Sequence, residues 1–169
     1  MKKLIVALMF LGFALPAFSM VVGKVDIQHI LLTVKEGQKV RNELKNEFEK
    51  KQNELKSEEE KIKSAQVAYE KQSLVMNAKA KEQKEREIQE MINNIKQKSM
   101  GYQREIQAKE QKLMKPILDR LRAIIEEIGK KDKLDIVYEV SASGVVYAAN
   151  EKDITQMVIQ SYDAKYPGK

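Results

Sequence analysis

The residue types that perform chemistry are scarce in this chain. Its 169 residues contain no cysteine and a single histidine, His29, so thiol catalysis is excluded and a Cys/His zinc site is not expected. We interpret His29, which alternates with apolar neighbours, as a residue that packs on a strand. Three adjacent carboxylates, Glu58, Glu59 and Glu60, precede Lys61, a pattern that favours a salt-bridged, solvated helix face over catalytic acids. Because no GxSxG, HExxH or phosphate-loop motif is present either, we predict no enzymatic activity, no metal and no cofactor.

The charge distribution favours binding instead. The chain has a formal net charge of +6, and the stretch from residue 61 to 86 holds seven basic residues but only three acidic ones. The basic residues are Lys61, Lys63, Lys71, Lys79, Lys81, Lys84 and Arg86. Such a stretch attracts an anionic membrane surface, lipopolysaccharide or an acidic polypeptide at long range. The alternative is a lysine-rich face that only keeps a helix solvated.

Three apolar residues, Leu74, Val75 and Met76, lie in the middle of this basic stretch. Methionine adapts to varied partners, so an exposed apolar cluster would suit a promiscuous contact surface. The three side chains could instead pack against one another across a turn. Together with the seven basic residues, they form the candidate binding site of the sequence.

The element that must position these residues is a long helical hairpin. From Gln38 to about Gly129 the sequence favours helix, and apolar residues recur at heptad spacing in two separate stretches. The first stretch contains Phe48, Leu55, Ile62 and Tyr69, and the second contains Ile88, Ile95 and Tyr102. The heptads stop between them, which predicts an antiparallel arm over residues 38–115 with its tip near 73–80. One continuous helix in an intermolecular coiled coil is the alternative.

A small body with several strands is predicted at the base of this arm, over residues 20–37 and 116–169. Pro116 marks the junction, unless it only kinks a straight helix. We predict strands at Lys24–Ile30, Leu134–Val140 and Val145–Ala149, the last two forming a hairpin, and a final helix from Asp153 to Tyr162. The fold class is therefore α+β and mostly α. So few short strands without disulfides favour oligomerisation.

The first nineteen residues have the pattern of a signal peptide. Lys2 and Lys3 precede an apolar run, Leu4–Leu15, and the small residues Ala17 and Ser19 suit a cleavage site. An uncleaved anchor is the alternative, but the run is short for a membrane helix. Position 20 is methionine rather than the cysteine that lipoproteins acylate. We therefore expect a soluble periplasmic protein that is not a lipoprotein.

Three segments carry a resemblance to a known family. Val25–His29 looks like a first strand, and Leu44–Lys50 looks like the start of an ascending arm. The most specific segment is Leu134–Glu139, followed by Val145–Asn150 and by Lys152–Thr155. In this order the chain resembles the Skp/OmpH family of periplasmic chaperones.

The resemblance implies a homotrimer that captures unfolded outer-membrane β-barrel proteins without ATP. Strands of three copies would form one β-body, from which three arms extend around a cavity. The body residues expected to take part are Val25, Ile27, Leu134, Ile136, Val145 and Tyr147. A structural or adaptor coiled coil that bridges folded envelope partners is the main alternative. A specific nucleic-acid partner is disfavoured by the signal peptide.

Overall fold

The protein was analysed as a computed structural model, which describes residues 20–167. The predicted signal peptide at residues 1–19 lies outside the described residues. Along the chain the elements are β1 (Val22–Val25), α1 (Ile27–Thr33), α2 (Lys35–Ser73), α3 (Ala78–Lys131), β2 (Ile136–Glu139), β3 (Glu151–Asp153) and α4 (Thr155–Lys165). The mostly helical fold with a small set of strands is therefore confirmed.

The two long helices α2 and α3 form an antiparallel hairpin within one chain. At 1.5 Å per residue, the 39 residues of α2 span about 58 Å. The helices are joined by residues 74–77, and Asn77 caps α3 because its side chain accepts a hydrogen bond from the Ala80 N–H at 2.9 Å. The alternative of one continuous helix is wrong, because the apolar seams of α2 and α3 face each other.

The strands form one parallel sheet in the order β2-β1-β3. Val22 lies beside Ile136 of β2 on one side and beside Glu151 of β3 on the other. The predicted strand at Leu134–Val140 is confirmed in its central part.

The predicted strand at Val145–Ala149, and with it the hairpin, is wrong. After β2 the chain turns, with the Ser143 N–H bonded to the Glu139 carbonyl at 3.1 Å, and Gly144 has a φ of +67°. Residues 144–148, including Val145 and Tyr147, have no regular secondary structure. Strand β1 lies between β2 and β3, and in the described residues the apolar segment that connects β2 to β3 pairs with no strand.

The predicted strand at Lys24–Ile30 is wrong from Asp26 onwards. Strand β1 ends at Val25, and the Asp26 side chain accepts a hydrogen bond from the His29 N–H at 2.7 Å. This is an N-cap, so Ile27 opens helix α1 instead of continuing the strand. His29 therefore lies exposed on a helix, and the interpretation as a strand-packing residue is wrong.

The core of the body lies where α1, α3, α4 and the sheet meet. It contains the buried side chains of Val25, Ile30, Leu31, Val34, Val40, Ile117, Leu121, Ile124, Ile128, Ile154, Val158, Ile159 and Tyr162. Residues 117, 121, 124 and 128 recur at helical spacing, so one face of α3 is buried along about three turns.

Pro116 lies inside α3, which continues through it to Lys131. The residue before it, Lys115, is exposed, whereas Ile117 directly after it is completely buried. The proline thus coincides with the change from exposed arm to buried body without ending the helix. The final helix begins at Thr155 and extends to Lys165, three residues beyond the predicted end. Asp153, predicted to start it, accepts a hydrogen bond from the Thr155 N–H at 2.9 Å.

Candidate functional site

In the half of the arm nearer the body, which we call the lower half, ion pairs join α2 to α3. The Lys51 ammonium lies 2.6 Å from a Glu105 carboxylate oxygen, and that of Lys109 lies 3.0 Å from Glu43. Lys98 pairs with Glu58, which is one of the three adjacent glutamates. Each lysine bonds to its carboxylate, and these hydrogen bonds raise the pKa of Lys51, Lys98 and Lys109. Exposed pairs of this kind contribute little stability individually, but they fix the register of the two helices.

An apolar groove of about 370 Å³ opens between α2 and α3 in this half of the arm. Its walls include the side chains of Phe48, Leu55, Tyr102 and Ile106. Phe48 occupies a heptad position but remains 54% exposed, because the two helices do not close over it. The Lys51 ammonium lies 4.0 Å from the centre of the Tyr102 ring, and both residues line the groove. The groove is large enough for an apolar side chain of another molecule.

The heptad pattern identified these groove residues but not their exposure. Periodicity predicted that Phe48, Leu55 and Tyr102 would be covered by the opposite helix. Of the heptad residues named above for α2 and α3, Ile62 alone is buried. The signal for an open seam was present, since the charged residues Lys51 and Glu58 interrupt the second stripe of α2.

The turn between the helices is apolar and exposed. Leu74 is 88% exposed and Val75 is 89% exposed, whereas Met76 is half-buried. The alternative in which all three side chains pack against one another is therefore wrong for Leu74 and Val75.

The predicted basic residues are distributed along the outer arm. Lys71 lies in the last turn of α2 and Lys79 and Lys81 lie in the first turn of α3, and we call these three residues the basic collar. Lys61 and Lys63 lie on α2 and Lys84 and Arg86 on α3, farther towards the body. Lys84 pairs with Glu87 at 2.5 Å and Arg86 with Glu82 at 3.5 Å, each within its own helix. Between residues 59 and 97 of the described chain, no ion pair joins the two helices.

A polar cluster attaches the arm to the body. Arg120 of α3 donates to both carboxylate oxygens of Glu36 at the start of α2, at 2.8 and 2.7 Å. The Tyr162 hydroxyl of α4 donates to the same carboxylate at 2.6 Å. Burial, and then the bond to Glu36, raise the pKa of Tyr162. The Arg120 guanidinium also lies 4.6 Å from the Tyr166 ring centre. Three elements are thus joined at one point, a cluster that sequence analysis missed.

The six predicted trimer residues divide into two groups. Val25 is in the core of its own chain, and Ile27 and Leu134 pack against that core. Ile136, Val145 and Tyr147 are exposed, and between the last two lies Val146, which is 99% exposed and was not predicted as a site residue. Ile136 belongs to the edge strand β2, and Val145–Tyr147 form an apolar segment in the connection from β2 to β3.

The described residues form two kinds of surface, an apolar groove on the arm and an exposed turn flanked by lysines. Residues 20–167 contain no cluster of three or more potential metal ligands, and His29 has no zinc-ligand geometry around it. Within the same residues, no helix is both long enough and apolar enough to cross a membrane. What the arrangement can do chemically is contact apolar side chains in the groove and at the turn, and contact anions around the basic collar.

Comparisons with known proteins agree over most of the chain. A family model described as "Outer membrane protein (OmpH-like)" matches residues 21–162. The "Chaperone protein Skp" of Pectobacterium atrosepticum is 24% identical over 139 residues, which are 82% of this chain and 83% of the relative. An uncharacterised protein of Aquifex aeolicus is 29% identical over 147 residues, which are 87% of this chain and 88% of that protein.

The fold is shared with a crystal structure from Caulobacter crescentus, described as a proposed outer membrane chaperone (OmpH-like). The two chains superpose with a TM-score of 0.71 at 23% identity, over 94% of this chain and 92% of the other. The family match includes the arm as well as the body. This chain therefore belongs to the OmpH-like family, the family of the chaperone Skp.

Proposed function

We propose that this chain is a periplasmic holdase, which binds unfolded outer-membrane β-barrel proteins without ATP and prevents their aggregation before insertion. Family membership supports the chaperone role, and the relative from Pectobacterium atrosepticum is named as a chaperone. A periplasmic location is that of the family and agrees with the predicted signal peptide. The absence of a cysteine at position 20 supports a form without a lipid anchor.

The open groove of the arm is the observation that carries this proposal. A protein that only used the arm as a spacer would gain stability by closing the seam over Phe48. Here the ring is 54% exposed, and the groove beside it is about 370 Å³. Unfolded β-barrel chains present an apolar side chain at about every second residue, and they aggregate through such segments. Several shallow grooves can hold such a chain by weak contacts without fixing one conformation.

We further propose that three copies associate through their bodies and enclose the client between three arms. The exposed apolar segment Val145–Tyr147, in the connection from β2 to β3, supports this, because a monomer would leave Val146 99% exposed. The small body also favours association, since one short parallel sheet buries little apolar area by itself. In the trimer each groove would face a shared cavity, where the weak contacts of three arms with one client would add in binding free energy.

The proposal is tested by an aggregation assay with a matched pair of variants. A urea-unfolded outer-membrane β-barrel protein is diluted with and without the mature chain, and light scattering is followed. Wild type should suppress scattering near one trimer per client. Phe48→Ser should raise the concentration for half-suppression about fivefold, because each arm loses one apolar contact. Leu32→Ser, at a body residue that is 53% exposed, is the control and should behave as wild type.

Two outcomes would contradict the proposal. If folded wild-type protein leaves aggregation unchanged, the holdase function is wrong and an adaptor that binds folded envelope proteins becomes the better explanation. If Phe48→Ser and Leu32→Ser weaken suppression equally, client binding depends on general surface hydrophobicity and the groove is not its site.

A further inference from the structure

Glutamine side chains line the groove on the arm next to its apolar residues. Gln103 and Gln107 line it from α3, and Gln52 lines it from α2. Within the part of the chain that the structure describes, none of these three amides has a hydrogen-bond partner. By contrast, the Gln83 and Gln89 amides, farther out on α3, each donate along their own helix at 3.3 Å. The groove amides are therefore available to another molecule.

The groove carries little charge, although 33% of the residues of the whole chain are charged. Lys51 and Glu110 are the charged residues of its lining. The charge of Lys51 is balanced, because its ammonium lies 2.6 Å from a Glu105 oxygen and 3.6 Å from a Glu47 oxygen. A glutamine amide both donates and accepts hydrogen bonds. The lining thus fits an uncharged occupant that offers donors as well as acceptors.

The spacing of the glutamines matches the main chain of an extended polypeptide. Gln103 and Gln107 are four residues apart, which is about 6 Å along the axis of α3. In an extended segment, the N–H and C=O groups on one edge recur every two residues, which is about 6.7 Å. Two amides on α3 can therefore bond to two successive main-chain positions on the same edge of such a segment.

An apolar row lies beside this row of amides. Tyr102 and Ile106 each precede a glutamine by one residue, which places them about 100° around the helix from the amides and again about 6 Å apart. Both line the groove. Alternate side chains of an extended segment point to one face at a similar spacing, so they fit this row. A helical segment fits the amides poorly, because its N–H and C=O groups already bond to each other.

We propose that the groove selects segments of a client chain in extended conformation. Alternate apolar side chains of the segment pack on Tyr102 and Ile106, while its main chain bonds to Gln103 and Gln107. The two glutamines then determine specificity for a conformation and not for a sequence. A folded barrel has no unpaired strand edge, so the same preference excludes a client that has completed folding. This inference rests on the holdase proposal for the identity of the client, and it adds which part of the client the arm contacts.

Leucine substitutions test the glutamines, because leucine has a similar size but forms no hydrogen bond. The mature Gln103→Leu, Gln107→Leu variant is titrated into a short fluorescent peptide in which valine and tyrosine alternate with threonine and serine, and anisotropy is followed. The variant should bind roughly tenfold more weakly than wild type although its groove is more apolar, because two main-chain groups lose their partners. Gln97→Leu, Gln111→Leu, at exposed arm positions outside the groove, is the matched control and should bind as wild type.

N-methylated peptides test recognition of the main chain directly. Methylation of every second residue removes the N–H donors of one edge and leaves the side chains unchanged. Of two such peptides, methylated on the apolar or on the polar residues, one should bind wild type roughly fivefold more weakly than the unmethylated peptide. The same methylation should change the affinity of the Gln103→Leu, Gln107→Leu variant little, because the bonds that it removes are already absent.

Three results would overturn the proposal. Tighter peptide binding by Gln103→Leu, Gln107→Leu would mean that the groove responds to hydrophobicity alone. Equal losses on methylation in wild type and in this variant would mean that the methyl groups act sterically and that the glutamines do not bond to the main chain. Equal binding of a peptide of the same composition with its apolar residues at helical spacing would mean that the groove does not select extended segments.

The aggregation assay, run on the same proteins, separates this inference from the holdase proposal. If wild type suppresses aggregation but the leucine and methylation effects are absent, recognition of the extended main chain is wrong and the holdase function stands. If wild type fails to suppress aggregation but both effects are present, the groove recognises extended segments and the holdase function is wrong.

Discussion

Three side chains far apart in sequence join the arm to the body. Glu36, Arg120 and Tyr162 meet where α2 begins, where α3 enters the body and where α4 ends. Their hydrogen bonds are charge-assisted, and the Tyr162 ring is completely buried. Near this point the Lys35 N–H also donates to Asp163 of α4, at 3.1 Å. An arm of about 58 Å would magnify any loosening at this joint into a large displacement of the turn.

Tyr162→Phe should therefore destabilise the fold by about 1 to 2 kcal/mol, because one charge-assisted hydrogen bond is lost while the ring remains packed. Urea unfolding followed by circular dichroism measures the change. Tyr69→Phe is the matched control, since the Tyr69 hydroxyl also donates to a glutamate, Glu85, but on the exposed arm. Its effect should stay below about 0.5 kcal/mol. Equal effects of the two substitutions would show that the joint has no special role.

The hydrogen bond between Tyr162 and Glu36 also makes the free energy of unfolding depend on pH. The pKa of Tyr162 is raised in the folded state, by burial first and by the bond to Glu36 second. Above the unfolded value of about 10, the unfolded chain loses this proton while the folded chain keeps it. Stability supplied by Tyr162 is thus complete below about pH 10 and is lost as the pH rises further, by about 1.4 kcal/mol per pH unit. The difference between wild type and Tyr162→Phe should therefore shrink above about pH 10 and stay constant between pH 7 and 9.

At the scale of the elements, two glycines in long helices have opposite roles. Gly101 lies in the middle of α3, where an added Cβ would meet nothing within 4 Å. At Gly37, in the first turn of α2, a Cβ would lie 2.1 Å from the Leu31 carbonyl oxygen. Gly37 is thus required for close packing of α1 on α2, whereas Gly101 only lowers helix stability.

We expect Gly101→Ala to raise the free energy of unfolding by about 0.5 to 1 kcal/mol, because alanine has the higher helix propensity. Gly37→Ala should lower it, since a backbone atom must move to admit the methyl group. Urea unfolding of both variants measures the two signs. A loss of stability in Gly101→Ala would mean that this part of the arm is bent or contacts another molecule in solution.

The arm was predictable from sequence because its helices pair locally and at heptad spacing. The start of α1 was not predicted, although the sequence contained a signal for it. Ile27, Ile30, Leu31 and Val34 follow helical spacing, whereas Val25–His29 follows strand alternation, so the pattern alone supports both structures. The capping carboxylate of Asp26 decides between them. Strand β3 carries no signal at all, because Glu151–Asp153 is a charged segment that becomes a strand only by pairing with β1.

At the scale of the whole molecule, the candidate sites differ in how far sequence could identify them. The basic collar and the apolar turn are consecutive in sequence, so composition alone located them. The joint of Glu36, Arg120 and Tyr162 combines positions separated by 42 to 126 residues, and no local pattern marks such a cluster. The exposure of Val146 was not predictable in this way, since strand propensity predicted a hairpin, whereas the sheet of the described residues contains only β1, β2 and β3.

The exposed segment at residues 145–147 provides a test of the proposed trimer. If three bodies associate through residues 145–147, Val146→Glu places a charge in each apolar contact and should raise the dissociation constant at least tenfold, because a buried charge without a partner is costly. The protomer should keep its stability within about 0.5 kcal/mol, since Val146 is 99% exposed within its own chain. Light scattering after size exclusion measures the mass, and Val75→Glu at the distant turn is the control that should leave it unchanged. A trimeric mass for Val146→Glu at low concentration would move the interface elsewhere on the body. A monomeric wild type would contradict the shared cavity and leave each arm to bind clients by itself.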